Sequence, residues 1–417
     1  MKKYTIGLFN ESFPPIMDGV SLTVRNYAHR LNRTIGDAYM ITPSYPGYSD
    51  REEFPVLRYA SLPIPMRKPY RMGFPWLDPH LHHQLQSVPF DLLHCHSPFS
   101  AGRYALRMAR LRNIPIIATF HSKYREDFLR AVHHPAIVKW MIRRIVEFYA
   151  AVDEVWIPQP AVEQTLREYG YKGNVTIVNN GTDFNDQQDM SVIRQNARKM
   201  FGIDERQPVF LFVGQMILEK NLTLILETLG ALRDMDFTAY FVGEGYAAAQ
   251  LKLLAERQGI ADKVRFTGTI YRRDLLKMYY AAADLFLFPS PYDNAPLVVR
   301  EAAAMHTPSL LLEGSTAAEI ICDGVNGFLT KNDKDSMTAK IREITANRHL
   351  LQEAGRHAAK NIAHSWEDII DTVIYRYKRL IQRKNHELYR NRHIPLPERI
   401  WRDTEMDERL ACSLTVL

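Results

Sequence analysis

Along the chain, short runs of uninterrupted apolar residues alternate with segments of helical spacing. In the first half the runs lie at 4–10, 38–42, 91–95 and 116–119, and in the second at 209–214, 238–243, 264–268, 284–289 and 309–312. Gly, Pro, Asn or Ser bounds these runs, the pattern of strands buried on both faces by crossover helices. The repeated grammar predicts an α/β protein of two Rossmann-like, doubly wound parallel-sheet domains. In such sheets ligands bind beyond the carboxyl ends of the strands, so the residues just after each run are the ones to inspect.

Polar turn formers at 179–186 follow the apolar residues 175–178 and place the joint between domains near 190, giving 1–190 and 191–365 as the two units. Residues 369–381 have helical spacing and end in a basic run, which predicts a helix over 366–384. Pro395, Pro397 and mixed charge leave 385–417 as a tail to which no element is assigned.

At 417 residues the chain exceeds one ordinary core, and 46% hydrophobic with 24% charged residues is the composition of a soluble globular protein. Cys95, Cys322 and Cys412 are far apart with no C-x-x-C pair, which suggests neither a disulfide framework nor a cysteine zinc site and fits a reducing compartment. The N-terminal residues run out of apolar character too early for a signal peptide, and no run reaches the roughly 18 to 20 apolar residues of a membrane span. A cytoplasmic location is therefore expected. The net charge of +6 is modest for this length, and no nucleic-acid partner is expected. Its distribution says more. Arg103, Arg107, Arg110 and Arg112 share one segment, while Lys139, Arg143 and Arg144 interleave with Trp140, Ile142, Ile145, Phe148 and Tyr149. Such stretches either lie on an anionic membrane surface or present a solvated helix face above a buried one.

The stretch "PYDNAPLVVREAAAMHTP" at 291–308 follows a predicted strand and enters a helix over 297–305, its first turn preceded by Pro296. The free amides of Leu297 and Val298 then face the carboxyl end of the strand, and unsatisfied N–H groups together with the helix dipole make an anion site. Glu301, one turn in, can accept hydrogen bonds from sugar hydroxyls, with Asp293 on the loop above. The alternative is an Asp that caps a turn and a Glu on a helix surface. A second loop, at 213–222, also follows a strand: Gly214 permits close backbone approach and Lys220 offers phosphate a point charge. On neighbouring strands the two loops make half of a diphosphate clamp.

These residues resemble a known family. "FNESFPPIMDGVSLTVRNYAHRL", "VGQMILEKNLTLILETL", "FVGEG", "FTGTIYRRDLLKMYYAAADLFLFPS" and "DNAPLVVREAAAMHTPSLLLEGSTAAEIICDGVNGFL" are similar to glycosyltransferase family 4, retaining enzymes of the GT-B fold, over roughly residues 4 to 380. The resemblance implies two domains facing each other across a cleft, with the acceptor on the N-terminal side and a nucleotide-diphosphate sugar on the other. Asp293 and Glu301 match the E-x7-E motif, whose second acid binds the ribose and whose first faces the donor sugar. By the same resemblance Lys220 contacts the diphosphate, Gly19 packs by the donor phosphates, and His121 lies beside the reacting face of the sugar, where it would orient the sugar or move a proton. Thr267 to Ile270 match the backbone segment that cradles the base, and 366–384 the helix that crosses back to the first domain. Three positions depart from the family. Gln215 stands where an arginine is usual, Asp293 replaces a glutamate, and Pro296 removes an amide from a loop that is usually glycine-rich.

No metal or other cofactor is expected. Asp234 and Asp236 imitate the D-x-D of the other large glycosyltransferase fold, but they precede a strand instead of following one. His94 and His96 alternate along a strand with no further ligand cluster. A nicotinamide oxidoreductase would need a G-x-G-x-x-G turn, which is missing after the first strand. The expected activity is hexosyl transfer from a UDP-sugar to a membrane lipid or lipid-linked glycan, by a protein peripheral on the inner face of the membrane. Oligosaccharide or polysaccharide extension and non-catalytic nucleotide-sugar binding are the alternatives.

Overall fold

The computed structural model describes residues 3–64, 69–184 and 189–391, so the expected tail beyond 391 lies outside the described residues. Uninterrupted apolar runs become parallel strands, as burial on both faces requires. The first sheet is formed by β1 (Tyr4–Phe9), β2 (Gly36–Pro43), β3 (Val56–Tyr59), β6 (Leu92–Cys95), β7 (Ile116–Thr119), β8 (Glu154–Ile157) and β9 (Thr176–Ile177), in the order β3-β2-β1-β6-β7-β8-β9. A small antiparallel pair, β4 (Ser61–Pro63) and β5 (Arg71–Gly73), stands apart from it. The second sheet contains β10 (Val209–Val213), β11 (Thr238–Val242), β12 (Val264–Gly268), β13 (Leu285–Phe288), β14 (Ser309–Leu312) and β15 (Phe328–Thr330), in the order β12-β11-β10-β13-β14-β15.

Both orders reverse once. The chain builds outward from β1 through β2 to β3 and then returns to lay β6 against β1; in the second sheet it builds from β10 to β12 and returns to lay β13 against β10. A crevice opens where neighbouring connections leave in opposite directions, and it opens at the carboxyl ends. The loops after β1, β6, β10 and β13 therefore surround the candidate site.

The core of the second lobe holds the β10 to β14 side chains with Ile193 and Ala197 of the helix Met190–Phe201, and it reaches back to Phe184. The first lobe has a core on each face of its sheet. One of these is closed by the last helix, Trp366–Asn391, which runs seven residues past the limit of 384 read from the sequence. Its basic end does not terminate it, because Lys384 reaches Asp153 at 3.3 Å and Arg383 lies 3.6 Å from Glu154. Ser365 starts the helix by accepting from the Asp368 N–H at 3.0 Å while its hydroxyl donates to that side chain at 2.6 Å. Trp366, Ile370, Val373, Tyr377 and Leu380 make the helical stripe that buries against Ile6, Leu8, Tyr27 and Trp156.

Trp366 is 1% exposed at the crossing between lobes, so Trp366→Ala is expected to cost about 3–5 kcal/mol, read as a lowered urea midpoint for the first lobe.

Candidate functional site

The ends of β10, β11 and β12 come close because glycine stands at each. Gly214, Gly243 and Gly268 have φ of 152°, 132° and 73°, and a Cβ on Gly243 would lie 2.0 Å from the Gly214 carbonyl oxygen. The Gly243 N–H donates to Gly268 O at 2.9 Å and the Met216 N–H to Glu244 O at 2.9 Å, which fixes the loop after β10 on its neighbour. Gln215, half-buried in that loop, accepts from the Ile217 N–H at 3.0 Å through its carbonyl. The turn Leu218–Lys220 then delivers Lys220 to the end of β13.

Lys220 is only 8% exposed. Its ammonium donates to both carboxylate oxygens of Asp293, each at 2.8 Å, and lies 4.9 Å above the Phe288 ring. Ser290 adds a hydroxyl to the same carboxylate at 2.6 Å. The cation and the acid that the resemblance assigns to phosphate and to sugar are thus each other's partners here, since neither could remain unpaired at that burial. The helix Leu297–Ala304 begins four residues after Asp293 with no side-chain cap on its first-turn amides at Leu297 and Val298.

Glu301, 4% exposed on that helix, accepts from Arg273 Nη2 at 2.7 Å and from the Tyr280 hydroxyl at 2.8 Å. Arg273 also pairs with Asp183, its Nε at 3.1 Å, and lies 4.3 Å over the Phe184 ring. Burial works against the charge of Arg273, but Glu301 and Asp183 outweigh it and hold the guanidinium above its ordinary pKa. Burial and the adjacent Glu301 push the Tyr280 phenol well up. Each Glu301 oxygen keeps a second acceptor position. The carboxylate lines a cavity of about 300 Å³ between the lobes, with Arg273, Tyr271 and Leu297 on one side and Met17, Arg25 and Arg30 on the other.

Gly19 faces this cavity's wall across the gap: a Cβ built on it would be 4.0 Å from Leu297 Cγ. Thr267 turns its hydroxyl back to Gly268 O at 3.0 Å and Ile270 packs on the second core, so both stand at the β12 end, beyond β11 from Lys220. His121 follows β7; its Nε2 is 3.0 Å from His96 Nδ1, and its carbonyl accepts from Asn294 Nδ2 of the opposite lobe at 3.0 Å. More contacts cross the gap nearby: Lys123 donates to Pro291 O at 3.1 Å, Tyr292 to Asp127 of the helix Tyr124–Val132 at 2.8 Å, and Arg130 of that helix pairs with Glu219 in the turn after β10. Nothing in the sequence marked Arg273, Tyr280, Lys123 or the Arg130–Glu219 pair as neighbours of the motif, or Asn294 within it as a partner of His121. The other residues weighed as metal ligands are engaged: Asp234 accepts from Arg342 at 2.6 Å and Asp236 from Gln207 at 2.9 Å. Among the described residues no group of three or more His, Cys, Asp or Glu could hold a metal ion.

The family described as Glycosyltransferase Family 4 matches residues 17–186, and that described as Glycosyl transferases group 1 matches residues 193–361, one on each lobe and together most of the chain. This chain belongs to glycosyltransferase family 4. The glycosyltransferase is 26% identical over 362 residues to the alpha-monoglucosyldiacylglycerol synthase of Streptococcus pneumoniae, covering 84% of this chain and 81% of that one. To the enzyme of the same name from Acholeplasma laidlawii it is 23% identical over 367 residues, covering 85% and 91%. Sucrose-phosphate synthase of Thermosynechococcus elongatus superposes with a TM-score of 0.77 at 19% identity, over 91% of this chain and 100% of that one. The fold is GT-B.

Burial depresses three imidazoles of the glycosyltransferase: His94 and His96 well below the ordinary value, and His121 down to about 3. Below about pH 6.5 the unfolded chain takes up protons that these folded rings refuse, so their contribution to stability is complete above that pH and is lost as pH falls towards 3. Each group steepens the fall by up to about 1.4 kcal/mol per pH unit, and urea titrations between about pH 6 and 5 are expected to show a slope shallower by that amount in His96→Asn.

Proposed function

We propose that the enzyme transfers a hexose, glucose from UDP-glucose in the first instance, to the hydroxyl of a membrane lipid or lipid-linked glycan, with retention at the anomeric carbon and without a metal ion. The observation that carries this reading is the bond, at the switch point of the second sheet, of the Lys220 ammonium to Asp293, four residues before the uncapped start of the helix Leu297–Ala304. The ammonium and the helix start both favour the charge of a departing diphosphate. The donor diphosphate takes the place of Asp293 on Lys220, and the released Asp293 carboxylate turns to the sugar. Leu297 and Val298 donate amides to phosphate, Glu301 accepts from the ribose, and the backbone from Thr267 to Ile270 receives the base. The acceptor hydroxyl attacks from the side of the leaving group. The bond from the anomeric carbon to the diphosphate oxygen breaks, the new glycosidic bond forms on the same face, and the acceptor proton passes to the diphosphate.

A lipid acceptor is supported by the diacylglycerol-glycosylating relatives and by the outer face of the first lobe. On the helix Pro135–Tyr149, Ile142, Ile145, Phe148 and Tyr149 are core residues, so most of the aromatic stretch read from the sequence serves packing. Trp140 and Ile137 remain 53% and 44% exposed beside Lys139 and Arg143, and Leu129 of the preceding helix is 40% exposed. Exposed apolar side chains among cations suit contact with anionic lipid. No helix among the described residues is long and apolar enough to cross a membrane. Three features favour non-catalytic binding: Gln215 and the Lys220–Asp293 bond leave the phosphate site with less free positive charge, and Pro296 leaves it one amide fewer.

UDP-glucose at about a hundred times its Kd is expected to stabilise the protein by about 2.7 kcal/mol in thermal unfolding, and to yield a labelled glycolipid with extracted lipids. Lys220→Ala should cut kcat on the order of a hundredfold, while Glu301→Ala should weaken UDP binding. Binding without turnover would instead establish the non-catalytic reading, and label confined to the aqueous phase the glycan-extending one. The protein is also expected to sediment with phosphatidylglycerol vesicles at low salt, and Trp140→Ala to reduce that fraction.

A further inference from the structure

His96 stands next to the cleft without touching it. Its backbone N–H continues the ladder by donating to Phe9 O at 2.8 Å, His94 lies against its ring at 4.2 Å between centroids, and the Tyr27 ring meets it edge-on at 5.4 Å. The ring is 2% exposed and therefore has one orientation. In that orientation Nδ1 points at His121 Nε2, 3.0 Å away, with the two ring planes only 18° apart. This is an in-plane N–H···N bond with a single proton in it. The other nitrogen of His96, Nε2, is buried with no partner among the described residues.

Two arrangements of protons fit two neutral rings. If His121 were the donor, His96 would carry its own hydrogen on Nε2, a buried N–H with nothing to receive it. If His96 is the donor, its Nε2 is a bare nitrogen, and a bare acceptor is tolerated in a protein interior more readily than an orphaned N–H. Burial keeps both rings neutral, since each sits well below the ordinary imidazole pKa. We propose that His96 is a positioning residue that donates through Nδ1 to His121 Nε2 and thereby fixes the proton of His121 on Nδ1, so that His121 offers the cleft a hydrogen-bond donor and no base. This rests on the donor-site reading for what His121 touches, though not for where its proton lies. A donor there can hold an oxygen of the sugar, and the acceptor proton must leave by way of the diphosphate.

The test is nitrogen NMR of the full chain labelled with ¹⁵N-histidine, His121 being assigned by its loss in His121→Gln. The wild type is expected to show His121 protonated on Nδ1 and bare on Nε2. His96→Asn, whose amide can donate from the same place, should keep that signature, whereas His96→Phe should put protons on His121 Nε2. With UDP-glucose, His96→Phe should lower kcat on the order of a hundredfold at little changed KM, and His96→Asn should recover most of the loss. A wild-type His121 protonated on Nε2, or a tautomer indifferent to His96→Phe, would overturn the proposal. The spectra need no substrate, so a chain that fails to turn over UDP-glucose leaves them decisive.

Discussion

Ions buried at the carboxyl ends of β10 and β13 must be paired, and everything in the cleft follows from how they are paired. Two carboxylates of one motif, eight residues apart, meet opposite fates. Asp293 is held by a lysine, a compact ammonium on a flexible stem that can exchange one set of oxygens for another. Glu301 is held by the planar fork of Arg273, itself anchored to Asp183 and Phe184, and by a buried phenol. The first pair suits a site that a diphosphate can enter. The second suits a fixed acceptor that recognises hydroxyls, because its donors occupy it without neutralising its remaining capacity.

The same loops also hold the lobes together. Arg300, one residue before Glu301 and 2% exposed, turns the other way and donates from Nε to Asn180 O at 3.0 Å, while the Asn180 amide donates to Ala295 O at 3.2 Å. Asn294 reaches the carbonyl of His121, and Lys123 that of Pro291. Contacts to backbone carbonyls read position and little else, so the segment 291–301 senses where the first lobe stands. Asp293, paired with Lys220, lies in this segment, so the loop that carries the ion pair is tied to both lobes.

Much of this was legible in the amino-acid sequence because apolar strands of a parallel sheet announce themselves and the residues after them inherit a known place. Lys220, Asp293 and Glu301 were singled out that way. The strands that escaped are the ones with a weak signal: β3 is half-buried and carries Arg58, β8 opens on Glu154, β9 spans two residues, and β4, β5 and β15 span three each. What could not be read were pairings set by sheet order. Arg273 meets Glu301 across 28 residues and Asn294 meets His121 across 173, and no local spacing encodes either. The basic and aromatic stretch near Trp140 left two readings open for a related reason: helical spacing shows that one face is apolar without showing what covers it.

The last helix extends this dependence on long-range order into the chemistry. Tyr377 stacks on Trp156 at 24° and sets its hydroxyl 2.6 Å from His94 Nδ1, while Thr119 holds the other nitrogen of that ring at 2.7 Å. His94 then forms the wall against which His96 is oriented, and His96 meets His121 at the cleft. The pairing of His94 with Tyr377 joins residues 283 positions apart. A chain without the docked helix would leave a buried imidazole short of a partner and the His96 ring short of a wall. The cleft is therefore complete only once the final segment has crossed back, which gives that crossing a role in the site as well as in the packing of the first lobe.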